Sequence, residues 1–228
     1  MRRRYFLGAL AAATTARADE KSRPKILLPT DTPDQFNLRI MWYNPVPPID
    51  QKTWRLEVKG LVERPQGFSV AVLRKFPHVN QSARMKCVQC WSARSTWGGF
   101  RFGHLLESVK PLKKAKAIRI DCADKWYEYM SIEEMLSDRV PMSMDLERKP
   151  LPDSHGAPLR LLDPRKYGYK SAKLITSITF VEEGKGSMAC DIGPYYSPTG
   201  EILPGYDHPL DLGAGVRRKI KGGEIKEY

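Results

Sequence analysis

The 228-residue chain is 41% hydrophobic and carries a formal net charge of +12, which is enough apolar content for one domain with a real core. No stretch approaches the roughly 20 consecutive apolar residues of a membrane-spanning helix. Four cysteines in a chain of this length are too sparse for a disulfide-stapled scaffold, and neither a Cys-x-x-Cys-His haem attachment nor a pair of Cys-x-x-Cys zinc motifs occurs.

The amino terminus reads Arg3-Arg4-Tyr5-Phe6-Leu7, continues through a short apolar run from Gly8 to Thr15, and ends in Ala16-Arg17-Ala18. Charged, apolar and small-residue regions in that order predict an export signal over residues 1–18. The paired arginines point to the twin-arginine route and hence to the periplasm. That route carries folded proteins, which suits a protein that takes up a bulky cofactor before export. Removing residues 1–18 leaves 34 basic and 26 acidic residues, a net charge of +8. Such a surface attracts acidic partners. An acidic electron-transfer protein or an anionic substrate fits an exported chain better than nucleic acid does, and plain solubility is the other reading.

Residues 19–50 are rich in proline and end in Pro45-Val46-Pro47-Pro48, an extended surface segment. Trp54, Leu56 and Val58 alternate with charged residues, the period of a half-buried strand. Ser69 is placed to cap a short helix through Phe76, and Gly103 to Val109 predicts another, with Leu105 and Leu106 inward. Strands are predicted around Ile118 and Ile120, from Tyr127 to Met130, and over the β-branched run Leu174 to Val181. Ser131 and Glu134 form a capping box. The expected fold is α+β: one domain over residues 19–185 with mixed β-sheets, short helices and long loops, and an irregular carboxy-terminal extension over 186–228 packed on it.

Two segments carry chemistry. In Met85-Lys86-Cys87-Val88-Gln89-Cys90-Trp91-Ser92, Cys87 lies among Arg84, Lys86 and Arg94, a positive field that favours thiolate. Thiolate is a soft ligand for a redox metal. A buried small hydrophobe and a Cys87/Cys90 redox disulfide are the alternatives; the latter makes the chain a thiol–disulfide oxidoreductase, although the βαβ context of such sites is missing. The second segment runs His155-Gly156-Ala157-Pro158-Leu159-Arg160 and then Lys166-Tyr167-Gly168-Tyr169-Lys170-Ser171-Ala172-Lys173. Cations and backbone donors around a glycine-containing turn can hold an anion such as an organic phosphate. A solvated charged face is the plainer reading.

Cys-Val-x-x-Trp-Ser with Trp97-Gly98 downstream resembles the metal-cysteine segment of the sulfite-oxidase family. His-Gly-x-Pro-Leu-Arg followed by Lys-Tyr-Gly-Tyr-Lys-Ser-x-Lys resembles that family's pterin-binding segment, and Pro47-Pro48-Ile49-Asp50 with Trp54-Arg55-Leu56-Glu57-Val58 its amino-terminal strand. The blocks stand in the family's order over roughly residues 36–181. The resemblance implies the sulfite-oxidase-type molybdopterin-binding fold and a Mo-molybdopterin cofactor whose metal is held by Cys87. It implies pterin or phosphate contacts from Arg39, Cys122, His155, Arg160, Ser171, Ala172 and Lys173. Cys122 reads equally as a core thiol. Tyr195, or its neighbour Tyr196, falls where relatives bring a tyrosine to the metal's open face, and a tyrosine packed in a turn is the alternative.

True sulfite oxidases carry an arginine pair shortly after the metal cysteine. Trp91-Ser92-Ala93-Arg94-Ser95 lacks it, and the segment is closer to the periplasmic methionine-sulfoxide reductase catalytic subunits, with Cys90 in place of a small residue. The implied activity is two-electron oxygen-atom transfer on a small S- or N-oxide or oxyanion. Electrons would be exchanged with a c- or b-type cytochrome or a membrane haem subunit. A pterin-binding module without catalysis is the remaining alternative.

Overall fold

The structure, a computed structural model, describes residues 34–36, 38–87, 92–193 and 196–202, with the backbone of 206–207 and 218–219. The expected signal at 1–18 and the positions of Cys90 and Tyr195 lie outside the described residues.

The alternation at Leu56 and Val58 produces strand β1 (Arg55–Gly60), which pairs antiparallel with β2 (Gln66–Ser69). Ser69 caps helix α1 (Val70–Leu73), its hydroxyl accepting from the Val72 amide. The predicted extension to Phe76 does not form. Arg74 turns out of the helix to ion-pair with Asp145 at 2.9 Å, and the Phe76 ring packs between Phe68 and Phe100 at 6.1 and 5.2 Å. Tertiary contacts override a weak helical preference there.

β3 (His78–Lys86) and β4 (Ser92–Arg101) follow, then helix α2 (Gly103–Val109). β5 (Ala117–Cys122) and β6 (Tyr127–Ser131) pair antiparallel. Helix α3 (Ile132–Met135) starts at the predicted capping box, both of whose hydrogen bonds are present. β7 (Pro141–Leu146), β8 (Lys149–Pro150) and β9 (Arg160–Leu161) precede β10 (Ile175–Val181) and helix α4 (Met188–Ile192). A ribbon of β11 (Tyr206–Asp207) and β12 (Arg218–Lys219) comes last.

The strands form two main sheets. The first has the order β2-β1-β10-β5-β6, with β1 and β10 parallel and the other pairs antiparallel. The second has the order β3-β4-β7-β8, with β9 also on β7. One apolar cluster joins them: Leu56, Val58, Ile118, Ile120, Ile178 and Phe180 from the first sheet, Phe100, Met142 and Met144 from the second, and Leu105 and Val109 from α2. Burial of these side chains supplies the main driving force for the fold. The chain is thus α+β with mixed sheets and short helices, as expected. What positions the site is the end of the first sheet where β10 begins and β5 turns into β6.

Candidate active site

β3 ends at Lys86 and delivers Cys87 to the wall of a cavity of about 360 Å³, within the usual range of roughly 300–1,000 Å³ for small-molecule sites. Lys86 forms a parallel bridge with Tyr167, which lays the 166–173 segment beside the cysteine. Arg39, Cys87, His155, Arg160, Ser171, Ala172 and Lys173 all line this one cavity. Cys122 does not line it. Its thiol is buried in the main core, where burial and then Asp124 and Asp121 push its pKa well up, and it accepts the Lys173 backbone N–H. It stands behind the wall, not in it.

The 155–174 segment owes its path to two left-handed residues. Gly156 has φ +100°, and a Cβ there would lie 2.7 Å from the Lys173 Cβ, so only glycine lets Lys173 pack so closely. Leu174, at φ +53°, donates its N–H to the Gly156 carbonyl at 3.2 Å. Lys173 is thereby turned into the cavity instead of continuing the strand.

Two cations dominate the electrostatics. Arg160 is 2% exposed; its Nη1 donates to the His155 carbonyl at 3.0 Å and its Nε to Leu161 at 3.3 Å, and the guanidinium lies 4.8 Å over the Trp97 ring. Burial brings its pKa down to about 9. Lys173 donates to the Met41 carbonyl and lies 3.7 Å over the Trp42 ring. Burial, and after it the nearby Arg160, lower its pKa to about 7. Among the described residues neither cation has a carboxylate within ion-pair distance. Carbonyl oxygens and ring faces solvate them incompletely, so the cavity favours an anion.

His155 is held differently. Its Nε2 lies 2.5 Å from the Asp34 carboxylate, with the Phe36 ring edge-on at 5.7 Å. Burial keeps the His155 pKa below its ordinary value against the pull of Asp34. Burial also raises the Asp34 carboxyl, but the bonds from His155 and the amides of Phe36 and Leu38 outweigh it and hold the pKa down. The same turn positions Arg39. Asp34 went unread in the sequence because it sits in the proline-rich segment; Asp34-x-Phe36-x-Leu38, an Asx turn, was the available signal.

The basic cluster of 160–173 is split by the fold. Arg160 and Lys173 face the cavity, whereas Arg165 pairs with Asp163 at 2.7 Å, Lys166 with Glu134 at 2.7 Å and Lys170 with Glu128 at 2.5 Å. Burial pushes the Glu128 carboxyl up to about 7 even beside Lys170. Sequence reasoning also missed Asp124, the one carboxylate among the described lining residues, and Trp126, both supplied by the β5–β6 turn. Tyr43, Tyr169 and Tyr196 complete an aromatic rim, with Tyr43 packed edge-on against Trp126 at 6.2 Å and Tyr169 against Tyr196 at 5.0 Å.

A family model described as oxidoreductase molybdopterin binding domain matches residues 43–189. Among solved structures, the sulfane dehydrogenase SoxCD from Paracoccus pantotrophus shares the fold, with a TM-score of 0.57 and 18% identity over 79% of this chain. This chain covers 57% of the length of that one.

Proposed function

This chain belongs to the molybdopterin-binding oxidoreductase family that includes sulfite oxidase, with Mo-molybdopterin as its cofactor, and from that premise we propose that it is a periplasmic catalytic subunit moving an oxygen atom and two electrons between a small S- or N-oxide or oxyanion and a separate haem protein. The observation that carries this reading is that Cys87 opens onto the same cavity as Arg160 and Lys173. A soft sulfur ligand and two buried cations with no carboxylate at ion-pair distance among the described residues match the two ends of a pterin dithiolene bearing a phosphate.

In this assignment the Cys87 thiolate ligates the metal. Arg160 and Lys173 donate to the phosphate, and the Ser171–Lys173 turn supplies the wall at that end. The Ser171 hydroxyl already accepts the Asp163 amide at 3.2 Å, which fixes its rotamer. His155, steered by Asp34, and Arg39 face the pterin. When bound, the molybdenum centre supplies a two-electron couple and the place where oxygen is exchanged. The aromatic rim of Tyr43, Trp126, Tyr169 and Tyr196 shields that chemistry from bulk water. Tyr196, one of the two neighbouring tyrosines offered for the open face, lines the cavity. The missing arginine pair after Cys87 supports a neutral S- or N-oxide over sulfite. Among the described residues no helix is long and apolar enough to cross a membrane; the haem partner in this reading is a second chain, and the basic surface suits an acidic one.

Metal analysis of protein recovered from the periplasm, followed by turnover with sulfite, methionine sulfoxide and other S- and N-oxides, tests the proposal. Stoichiometric molybdenum and turnover of one of these with a reduced or oxidised cytochrome are expected. Molybdenum-free protein whose only activity is thiol exchange dependent on Cys90 would instead establish the disulfide reading.

A further inference from the structure

The segment after α4 runs along the outside of the 165–170 turn, and its carbonyls are taken in sequence by side chains rising from that turn. Tyr169 donates its hydroxyl to the Ser197 carbonyl at 2.7 Å, Lys170 its ammonium to Pro198 at 2.9 Å, and Lys166 its ammonium to Thr199 at 2.7 Å. The backbones are tied as well, Tyr167 N–H to Gly200 at 2.7 Å and Ile202 N–H to Arg165 at 3.1 Å. Gly200 has φ +65°, and a Cβ there would lie 2.4 Å from the Lys170 Cγ, so the segment rests directly on the lysine stem. Residues 197–199 are exposed, yet their anchors are not: Lys166 is 4% exposed and Lys170 2%.

Lys170 holds more than this segment. Its ammonium also donates to the Tyr129 carbonyl at 3.0 Å and pairs with Glu128, which is fully buried on β6. One charged group thus joins β6, the turn that carries Gly168 and Ser171 into the cavity wall, and the segment that carries Tyr196. Lys170 itself lies behind the wall and does not line the cavity. Burying such a pair is costly and adds little net stability over apolar replacements, so its geometric consequence is the more informative one.

We propose that Lys170 is a positioning residue: by clamping the 196–202 segment against the Gly168–Ser171 wall it sets where Tyr196 stands and how wide the substrate end of the cavity is. The proposal rests on the cavity being the active site. It assigns to this lysine of the Lys-Tyr-Gly-Tyr-Lys-Ser stretch a role other than phosphate binding.

The test uses molybdenum-loaded enzyme carrying K170M together with E128Q, which removes both charges and leaves no unpaired ion in the core. Hydrogen exchange of the Ser197 amide and of the amides from Thr199 to Ile202 should rise roughly tenfold or more, the scale expected when charge-assisted bonds are lost locally. Exchange in β1, β5 and β10 should stay unchanged. Molybdenum content should be retained, and KM for the substrate should rise about fivefold or more with kcat changed less than about twofold, the pattern of lost ground-state positioning. G200A, which keeps both charges but pushes on the Lys170 stem, should show the same changes in smaller measure. Unchanged exchange at 197–202 in both variants, or loosening spread evenly over the molecule, overturns the proposal. Molybdenum missing from the unaltered protein would sink the enzymatic reading while leaving the exchange result to judge the clamp.

Discussion

Tyr167 pairs with Lys86 in a single parallel bridge, and this contact lays the turn holding Gly168 against the last residues before Cys87. A Cβ at Gly168 would stand 3.3 Å from the Lys86 carbonyl and 3.6 Å from the Met85 Cγ. The metal-cysteine segment and the pterin segment therefore meet through backbone, at a place where there is little room for a side chain.

Gly168→Val is expected to push these segments apart. Because the strain is local, the variant should fold with a melting temperature within a few degrees of the parent's while losing most of its molybdenum. Metal analysis alongside thermal unfolding checks this. Full metal occupancy in G168V would show that the close approach is not needed for the cofactor.

Gly156→Ala places a side chain at φ +100° and 2.7 Å from the Lys173 Cβ. The left-handed backbone alone costs about 1–2 kcal/mol, and the clash adds to it. Urea unfolding should register a loss of at least that size. A change below about 0.5 kcal/mol would mean that the turn relaxes without cost.

Arg160→Met separates stability from cofactor binding. The guanidinium is buried over Trp97, and its partners among the described residues are carbonyl oxygens and the Met85 thioether, with no carboxylate, so an apolar replacement of similar length should leave cofactor-free protein as stable as the parent, or more stable. Cofactor retention should nonetheless fall by tenfold or more, on the order expected from losing a charge-assisted phosphate contact. If R160M unfolds but binds cofactor normally whenever folded, the arginine is structural.

Lys173 gives a pH signature. Its folded pKa is about 7, against 10.5 for the ordinary side chain. Between those values the unfolded chain holds a proton that the folded one lacks, so stability rises with pH through that window and the burden of the buried charge is fully present below it. Cofactor-free protein should therefore show a urea midpoint that climbs from pH 7 towards pH 10, and K173M should lose that part of the climb. Bound cofactor, whose phosphate favours the ammonium, should flatten it as well. Equal slopes in parent and K173M would contradict the burial of this charge.

The readability of the sequence followed the kind of signal each segment carries. Local, self-contained signals held: the Ser131–Glu134 capping box, the limits of α2 and the strands β5, β6 and β10. The second sheet was not legible. In β4 the pair Gly98-Gly99 reads as a breaker, but the structure uses it for a register shift against β7, where a Cβ on Gly99 would come within 2.0 Å of the Met142 carbonyl. All six residues of β7 are buried, so it shows no alternation, and it begins with Pro141. At the site, motif residues were legible because their types state their chemistry. Asp34, Asp124 and Trp126 were not, because only the fold brings them to the cavity. The basic cluster misled in part, since burial turned Lys166 and Lys170 away to carboxylates that the sequence places 32 and 42 residues earlier.

Every role assigned to the cavity depends on sulfur from residue 87 reaching the metal. X-ray absorption at the molybdenum edge, on enzyme purified with its metal and on C87S loaded to the same metal content, addresses this most directly. The account predicts one sulfur fewer in the first shell of the variant, with a lighter atom in its place. An identical sulfur shell in the two proteins would contradict it.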